Sequence, residues 1–256
     1  MLFYWLLKYV LIGPVVRLLF RPEVHGLENV PRHGGAILAC NHLSAADWIF
    51  MPLAVRRRIT FLAKAEYFRS PGIKGFLQRI FFSGAGQVPI DRTSASAAND
   101  ALTTGIRILS GGGVLGIFPE GTRSPDSRLF RGKTGVARMA LETGVPVIPV
   151  AMIGTEKVQP LGKKGLRVHK VRVQFGEPLD FSRYAGLSGD RFVERSITDE
   201  IMYEIMTMSG QEYVDLYGAK VKAAMDATGK PATEIVAEMR PPAREATDRR
   251  PSSLAG

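Results

Sequence analysis

Apolar residues along the chain fall into runs and stripes of different period, and the periods predict the elements. Residues 36–40, 114–118 and 145–153 are nearly unbroken apolar runs, the pattern of strands buried on both faces. Residues 171–175 read as a further strand. Pro149 inside its run points to an edge position or a bulge, because proline has no N–H for the ladder. Helical spacing replaces this pattern elsewhere. Ala98, Leu102, Ile106 and Leu109 share one face of a helix stopped by Gly111-Gly112-Gly113, and a helix over 133–143 is capped by Gly144. Val193, Ile197, Ile201, Ile205 and Met208 form a core-facing stripe that ends at Gly210. A second C-terminal helix is expected over 211–227. From Lys230 the apolar residues thin out among Pro, Ala, Glu, Arg and Ser, which predicts a disordered tail over 230–256.

Residues 1–21 stand apart. They are almost wholly apolar, but Lys8 and Arg17 interrupt them and Gly13-Pro14 is expected to divide them into two short helices. No basic stretch precedes the run and no small-residue cleavage site follows it, so a retained monotopic anchor is expected rather than a removed signal. The alternative is a helix packed on the protein's own core. Residues 22–229 then form one domain. The chain carries 34 Lys+Arg against 24 Asp+Glu, a net +10, which calls for an anionic partner. Seven of the cations lie between Arg56 and Arg79 against one acid, Glu66, interleaved with Phe61, Tyr67, Phe68 and Phe76. That mixture suits an anionic membrane surface or single-stranded nucleic acid, and the N-terminal segment favours the membrane over nucleic acid. Cys40 is the sole cysteine, which excludes an internal disulfide and any cysteine-built zinc site and suits the cytoplasmic side of a cell membrane.

The candidate chemistry begins at Asn41-His42-Leu43-Ser44-Ala45-Ala46-Asp47, between a predicted strand and a predicted helix. His42 there stands at the carboxyl end of a strand, beside the crevice where α/β sheets hold ligands. An unperturbed imidazole takes a proton near neutral pH, and a carboxylate five residues on can fix the ring's tautomer, as a general base requires. Ser44-x-x-Asp47 equally fits a helix cap with an acid at its third position, in which case Asp47 serves only the helix. Pro119-Glu120-Gly121-Thr122-Arg123-Ser124 leaves the predicted strand at 114–118 as a loop. Gly121 permits close backbone approach, and Thr122 and Arg123 offer the donors that suit a phosphate. Gly132-Lys133-Thr134 is not a nucleotide loop, since Ser127 stands where the earlier glycine is needed, and no Gly-x-Ser-x-Gly hydrolase elbow occurs. Cys40 lies in an apolar run and is expected to be packing rather than a nucleophile.

Four segments in order, Asn41-His42-Leu43-Ser44-Ala45-Ala46-Asp47, Val88-Pro89-Ile90-Asp91-Arg92, Phe118-Pro119-Glu120-Gly121-Thr122-Arg123-Ser124 and Val145-Pro146-Val147-Ile148-Pro149-Val150, resemble the four blocks of the glycerolipid acyltransferase family. The 1-acylglycerol-3-phosphate (lysophosphatidic acid) acyltransferases are the most similar branch. The resemblance spans about 24–180. It implies an α/β fold with a mixed sheet flanked by helices, preceded by a membrane-binding helical segment. It also implies His42 as base and Asp47 as its partner, with Arg92, Glu120, Gly121, Thr122 and Arg123 on the acceptor's glycerol phosphate. Lys64 matches more loosely a lysine that reaches the same phosphate. No metal or cofactor is implied; acyl-CoA or an acyl carrier protein thioester would be the co-substrate. The alternatives are an acyltransferase for glycerol 3-phosphate or another lysolipid, and a non-catalytic lipid- or nucleic-acid-binding module that leaves His42 and Asp47 without a role.

Overall fold

The structure, a computed structural model, describes residues 2–69, 71–90, 97–162 and 165–240. Residues 2–20 form one continuous helix, Leu2–Phe20, built from α1 (Leu2–Leu6), a π turn (Leu7–Leu11) and α2 (Ile12–Phe20). The expected break at Gly13-Pro14 is therefore corrected. The wide π turn comes just before Pro14, which has no N–H to give the ladder, and at Gly13 any Cβ would collide with the Lys8 carbonyl. One side of this helix joins the core through Tyr4, Leu7, Val16 and Phe20, while Leu2, Val10, Val15 and Leu18 stay exposed.

The strands are β1 (Glu23–His25), β2 (Ala36–Cys40), β3 (Ile59–Lys64), β4 (Gln87–Ile90), β5 (Val114–Ile117), β6 (Leu129–Phe130), β7 (Val147–Ile153), β8 (Arg172–Phe175) and β9 (Tyr213–Val214). Seven form a sheet in the order β1-β8-β7-β2-β5-β3-β4, and β6 pairs with β9 apart from it. β7, β2, β5, β3 and β4 run parallel; β8 is antiparallel to β7, and β1 follows β8, so the sheet is mixed. β2 is central and wholly buried, as its unbroken apolar run requires.

Helices α3 (Asp47–Ala54), α4 (Glu66–Arg69), α5 (Gly72–Gly84), α6 (Ala97–Ser110), α7 (Gly135–Thr143), α8 (Thr155–Val158), α9 (Arg191–Ser209), α10 (Gly218–Thr228) and α11 (Ala232–Met239) complete the described residues. The two-residue period of β2 divides the core between two layers. Ala36, Leu38 and Cys40 face α2 and α3 through Val16, Phe20, Phe50 and Met51. Ile37 and Ala39 face α6, α7 and α9 through Leu109, Val136, Ile197 and Ile201.

Pro149 lies in an interior strand, not at an edge, and the bulge is on its neighbour. Val150 pairs with Phe175, yet Val147 pairs with Leu179, so the partner segment carries one extra residue between the two pairings. The Pro149 carbonyl accepts from Gly176 N–H at 2.8 Å. N–H and C=O of one strand residue point the same way, so the donor that proline lacks faces this irregular stretch.

Two further expectations are corrected at the C-terminal end. The second helix starts at Gly218 rather than Gln211, because Tyr213 and Val214 are drawn into β9 against Leu129 and Phe130. The segment from Lys230 also contains α11, whose Ala232, Ile235 and Val236 bury against Phe130, Val214 and Val221. Its few apolar residues are spaced to share one face, and thin average composition hides that spacing. The remainder, 241–256, lies outside the described residues. A chain ending at residue 229 should therefore melt below one ending at residue 240. Losing even one buried aliphatic side chain costs about 2–5 kcal/mol, and about 2–4 °C accompanies each kcal/mol in a domain of this size. Equal thermal midpoints would show that α11 adds nothing to the fold.

Candidate active site

Four parallel strands deliver the candidate residues to one edge of the sheet. β2 ends at Cys40, β5 at Ile117, β3 at Lys64 and β4 at Ile90, with Lys64 in register with Ile90. Their carboxyl ends therefore place His42, the 118–124 loop and Lys64 along a common rim, where α/β sheets leave a crevice. The Lys64 side chain and Arg92 lie outside the described residues.

Beyond Cys40 the chain leaves the ladder, and its backbone groups need other partners. Asn41 continues the pairing with its side chain: Nδ2 donates to the Met152 carbonyl at 3.0 Å, and Oδ1 accepts from Met152 N–H at 2.7 Å. His42 N–H donates to Glu120 Oε1 at 2.9 Å, and the His42 carbonyl accepts from Ser124 N–H at 2.7 Å. The His42 peptide is thus gripped at both ends by one loop. The next two N–H groups, of Leu43 and Ser44, donate to Asp47 Oδ2 at 2.8 and 2.9 Å. That same oxygen lies 2.9 Å from His42 Nδ1.

Asp47 does not cap α3 as the Ser44-x-x-Asp47 pattern predicts, since the helix begins at Asp47 itself behind Ala46 and no side chain caps it. Its reach back to Ser44 N–H ties down the turn that precedes the helix, and its contact with Nδ1 is the histidine pairing. Its side chain is fully buried, whereas that of His42 is 17% exposed, so the pair is closed behind the ring and open in front. A carboxylate on Nδ1 keeps the proton there and leaves the lone pair on Nε2 for a substrate. The imidazole also stacks on Phe118, centroids 3.9 Å apart and planes 16° apart, and Phe118 stacks in turn on Phe61. Rotation of the ring is blocked on that face.

Glu120 departs from its expected role. It is 1% exposed, and its second oxygen accepts from Phe130 N–H at 2.9 Å, so both oxygens are occupied by backbone donors and neither faces an acceptor's phosphate. Burial pushes its pKa up to about 8, the Phe130 and His42 N–H groups pull it down, and neighbouring Asp47 pushes it further up. Cys40 is buried as expected, and burial raises its thiol well above the ordinary value, with Asp47 and Glu120 adding to the effect. A thiol held so has little thiolate character. Among the described residues, no three His, Cys, Asp or Glu side chains converge as metal ligands.

Gly121, Thr122 and Arg123 stand on the open side of the loop. Gly121 has φ +71°, and a Cβ there would come 3.0 Å from Lys133 Cε and 3.2 Å from its Nζ. Lys222 Nζ donates to Thr122 Oγ1 at 3.0 Å. Sequence reasoning missed Phe118, Ser124, Lys133 and Lys222 as parts of the site. Lys133 carried a signal, since it sits in the Gly132-Lys133-Thr134 triplet that fails as a nucleotide loop. Lys222 carried none, because only tertiary packing brings α10 to the loop.

A ring braced in this way has the geometry that general-base chemistry on a hydroxyl requires, at the carboxyl edge of an α/β sheet. The chain belongs to the acyltransferase family: the family model described as Acyltransferase matches residues 21–153, over half of it. It is 33% identical to the 1-acyl-sn-glycerol-3-phosphate acyltransferase of Bacillus subtilis over 167 residues, covering 64% of this chain and 77% of that one. It is 34% identical to a chloroplastic 1-acyl-sn-glycerol-3-phosphate acyltransferase of Arabidopsis thaliana over 166 residues, 64% of this chain. The chain spans 45% of the length of that relative and of a similar one from Brassica napus. The crystal structure of the 1-acyl-sn-glycerophosphate acyltransferase PlsC from Thermotoga maritima superposes with a TM-score of 0.53 at 29% identity, over 72% of this chain and 71% of that one. The mixed α/β architecture is thus shared with a solved acyltransferase.

The buried Glu120 has a measurable consequence. Its proton is held more tightly in the folded protein, at about 8, than by a glutamate of ordinary pKa 4.5. Its contribution to stability is complete below the lower value and is lost as pH rises through about 8. The melting-temperature difference between wild type and Glu120→Gln should accordingly shift against the wild type between pH 5 and 8.5. The expected shift is more than about 2–4 °C, the equivalent of ~1 kcal/mol. A difference that stays constant over this range would mean that Glu120 titrates alike in both states.

Proposed function

We propose that this protein transfers an acyl group from a thioester to the free hydroxyl of 1-acylglycerol 3-phosphate, giving phosphatidic acid. The observation that carries this reading is the His42–Asp47 pair, open at Nε2, beside a loop that presents Thr122 and Arg123. The names of the matched relatives support the same acceptor. His42 Nε2 accepts the hydroxyl proton as the oxygen bonds to the thioester carbonyl carbon. The tetrahedral adduct then collapses, the C–S bond breaks, and the imidazolium returns its proton to the thiolate. The products are an ester and a free thiol, and no acyl group needs to rest on the protein. The donor would be acyl-CoA or an acyl carrier protein thioester. Arg123 would hold the phosphate, turning a bimolecular encounter into a positioned one.

Both reactants have long apolar parts, and an anionic membrane surface, at the cytoplasmic face of the cell membrane, is the partner that would hold them. The exposed apolar face of the N-terminal helix supports peripheral or monotopic attachment, and α5 adds to it. Ile73, Phe76, Leu77 and Ile80 of α5 are exposed, and its C-terminal end packs against Phe3 of α1. The expected basic and aromatic stretch offers a surface fewer free side chains than its composition suggests. Arg57 donates to the carbonyls of Pro31, Gly34 and Gly112, Arg79 donates to that of Phe68, and Phe61 and Phe68 are buried.

The decisive experiment incubates the purified chain with labelled acyl-CoA and 1-acylglycerol 3-phosphate and identifies the product. Phosphatidic acid is expected, and His42→Ala should form it at less than about a tenth of the wild-type rate with an unchanged melting temperature. A folded His42→Ala protein that keeps more than that would remove His42 from the mechanism. Attachment is tested without disturbing the buried face, whose Val16 and Phe20 belong to the core. Val10, Leu18, Ile73 and Leu77 changed together to serine should shift the protein off vesicles in high salt, where charge attraction is screened. Undiminished binding would place the attachment elsewhere.

A further inference from the structure

The loop at Gly121 and Thr122 is approached by cations from three separate segments. Arg123 follows Thr122 directly, the Lys133 ammonium lies over Gly121, and Lys222 reaches Thr122 from α10. Among the described residues none of the three forms a salt bridge, whereas many exposed cations elsewhere do, as Arg128 does with Asp126 and Arg183 with Glu200. Lys222 is half-buried, and the contact beneath it is built. α10 begins at Gly218, where a Cβ would come 3.3 Å from Thr122 Cγ2 and 3.4 Å from the Phe130 ring, so the helix sits directly on the loop. Burial, and after it the Arg123 guanidinium, lower the Lys222 pKa from its ordinary value, opposed by Glu120 and Asp226. Like charges gathered with no carboxylate in ion-pair contact, Glu120 and Asp226 acting only from farther off, are costly unless an anion joins them.

The hydrogen bond from Lys222 also sets the direction of the threonine hydroxyl. Thr122 Oγ1 accepts from the ammonium, so its own proton is left to donate outward. Lys222 keeps two further N–H donors. Gly121 has no side chain to obstruct an approach to these donors, which are of the kind that a tetrahedral oxyanion accepts from. The turn adjoins His42, because Glu120 and Ser124 on either side of it are the residues that grip the His42 peptide.

We propose that Lys222 binds the phosphate monoester of the acceptor, acting with Thr122, Arg123 and Lys133, and that α10 thereby completes a substrate site from outside residues 21–153. This rests on the acyl-transfer reading for the identity of the substrate. The chemistry recognised is a phosphate monoester, which the acceptor carries and which a CoA donor also carries, so the test separates the two.

Initial rates of the purified full chain are measured in mixed micelles, varying lysophosphatidic acid at fixed acyl-CoA and then the reverse, for wild type, Lys222→Gln and Lys222→Arg. Lys220→Gln, exposed on the same helix, serves as control. Lys222→Gln should raise KM for lysophosphatidic acid about tenfold or more and change kcat and the acyl-CoA KM by less than about threefold. Lys222→Arg should recover most of the loss, and Lys220→Gln should match wild type. Binding of glycerol 3-phosphate, followed by calorimetry, should weaken in parallel in Lys222→Gln at an unchanged melting temperature. A rise confined to the acyl-CoA KM would move Lys222 to the donor and overturn the assignment, as would unchanged constants for both substrates. Should wild type make no phosphatidic acid, the acyl-transfer reading falls by itself. The titration then still decides Lys222: weaker glycerol 3-phosphate binding in Lys222→Gln upholds the phosphate site, and equal binding removes it.

Discussion

Backbone N–H groups cannot be left unpaired inside a protein, and the end of a buried central strand creates several at once. Here the donors of residues 42, 43 and 44 leave the sheet together. Glu120 takes the first and Asp47 takes the other two, at 2.8–2.9 Å. Everything distinctive about the site follows from that solution. A carboxylate brought in to satisfy Leu43 and Ser44 lies within reach of the His42 ring, and a carboxylate brought in for His42 carries the 118–124 loop with it. A buried carboxyl group, charged or not, is expensive without hydrogen-bond partners, so the two acids and the strand end stabilise one another.

The parallel arrangement then decides what stands nearby. β5 lies beside β2 and runs the same way, so the loop after β5 must emerge next to the loop after β2. This is why Phe118 can stack on the His42 ring and Ser124 can close on its carbonyl. On the other flank, β7 supplies Met152 to Asn41, which holds the residue before the base as firmly as a ladder pair would. Irregularity is pushed outward to the β7–β8 pairing, where Pro149 and the extra residue opposite it do not disturb the site.

Much of this was legible in the sequence. The runs at 36–40 and 114–118 gave the two strands, and the five-residue interval from His42 to Asp47 gave the pairing. What remained hidden depends on distance in sequence. Glu120 looked like a ligand for phosphate because a motif shows side chains, while its partners are main-chain groups of His42 and Phe130. The backbone and histidine contacts of Asp47 looked exclusive, yet one oxygen takes the N–H groups of Leu43 and Ser44 and also meets Nδ1. Gly13-Pro14 is a strong local breaker that a π turn absorbed, and α11 was masked by the composition around it. Lys222 could not be found from its own helix, whose pattern shows Val221, Ala224 and Met225 turned to the core and gives no reason to turn a lysine toward a distant loop.

One short helix ties the apolar N-terminal segment to the chemistry. α3 carries Asp47 in its first turn, and at its other end the carbonyls of Pro52 and Val55 both accept from the buried Lys8 ammonium of the N-terminal helix. A cation at a helix C-terminus satisfies carbonyls that have no partner within the helix, and it complements the helix dipole. Arg17 reaches the Leu53 carbonyl from the same segment at 3.5 Å. The helix that carries the exposed apolar face is therefore fastened to the eight-residue element that orients the His42 ring. If that face lies in a lipid surface, the depth of the N-terminal helix fixes the height of His42 above it. An acceptor whose acyl chain stays in the bilayer while its glycerol phosphate stands in water then needs no separate docking step. On that condition, the connection that would hold the protein on the surface would also set Nε2 at the level of the hydroxyl.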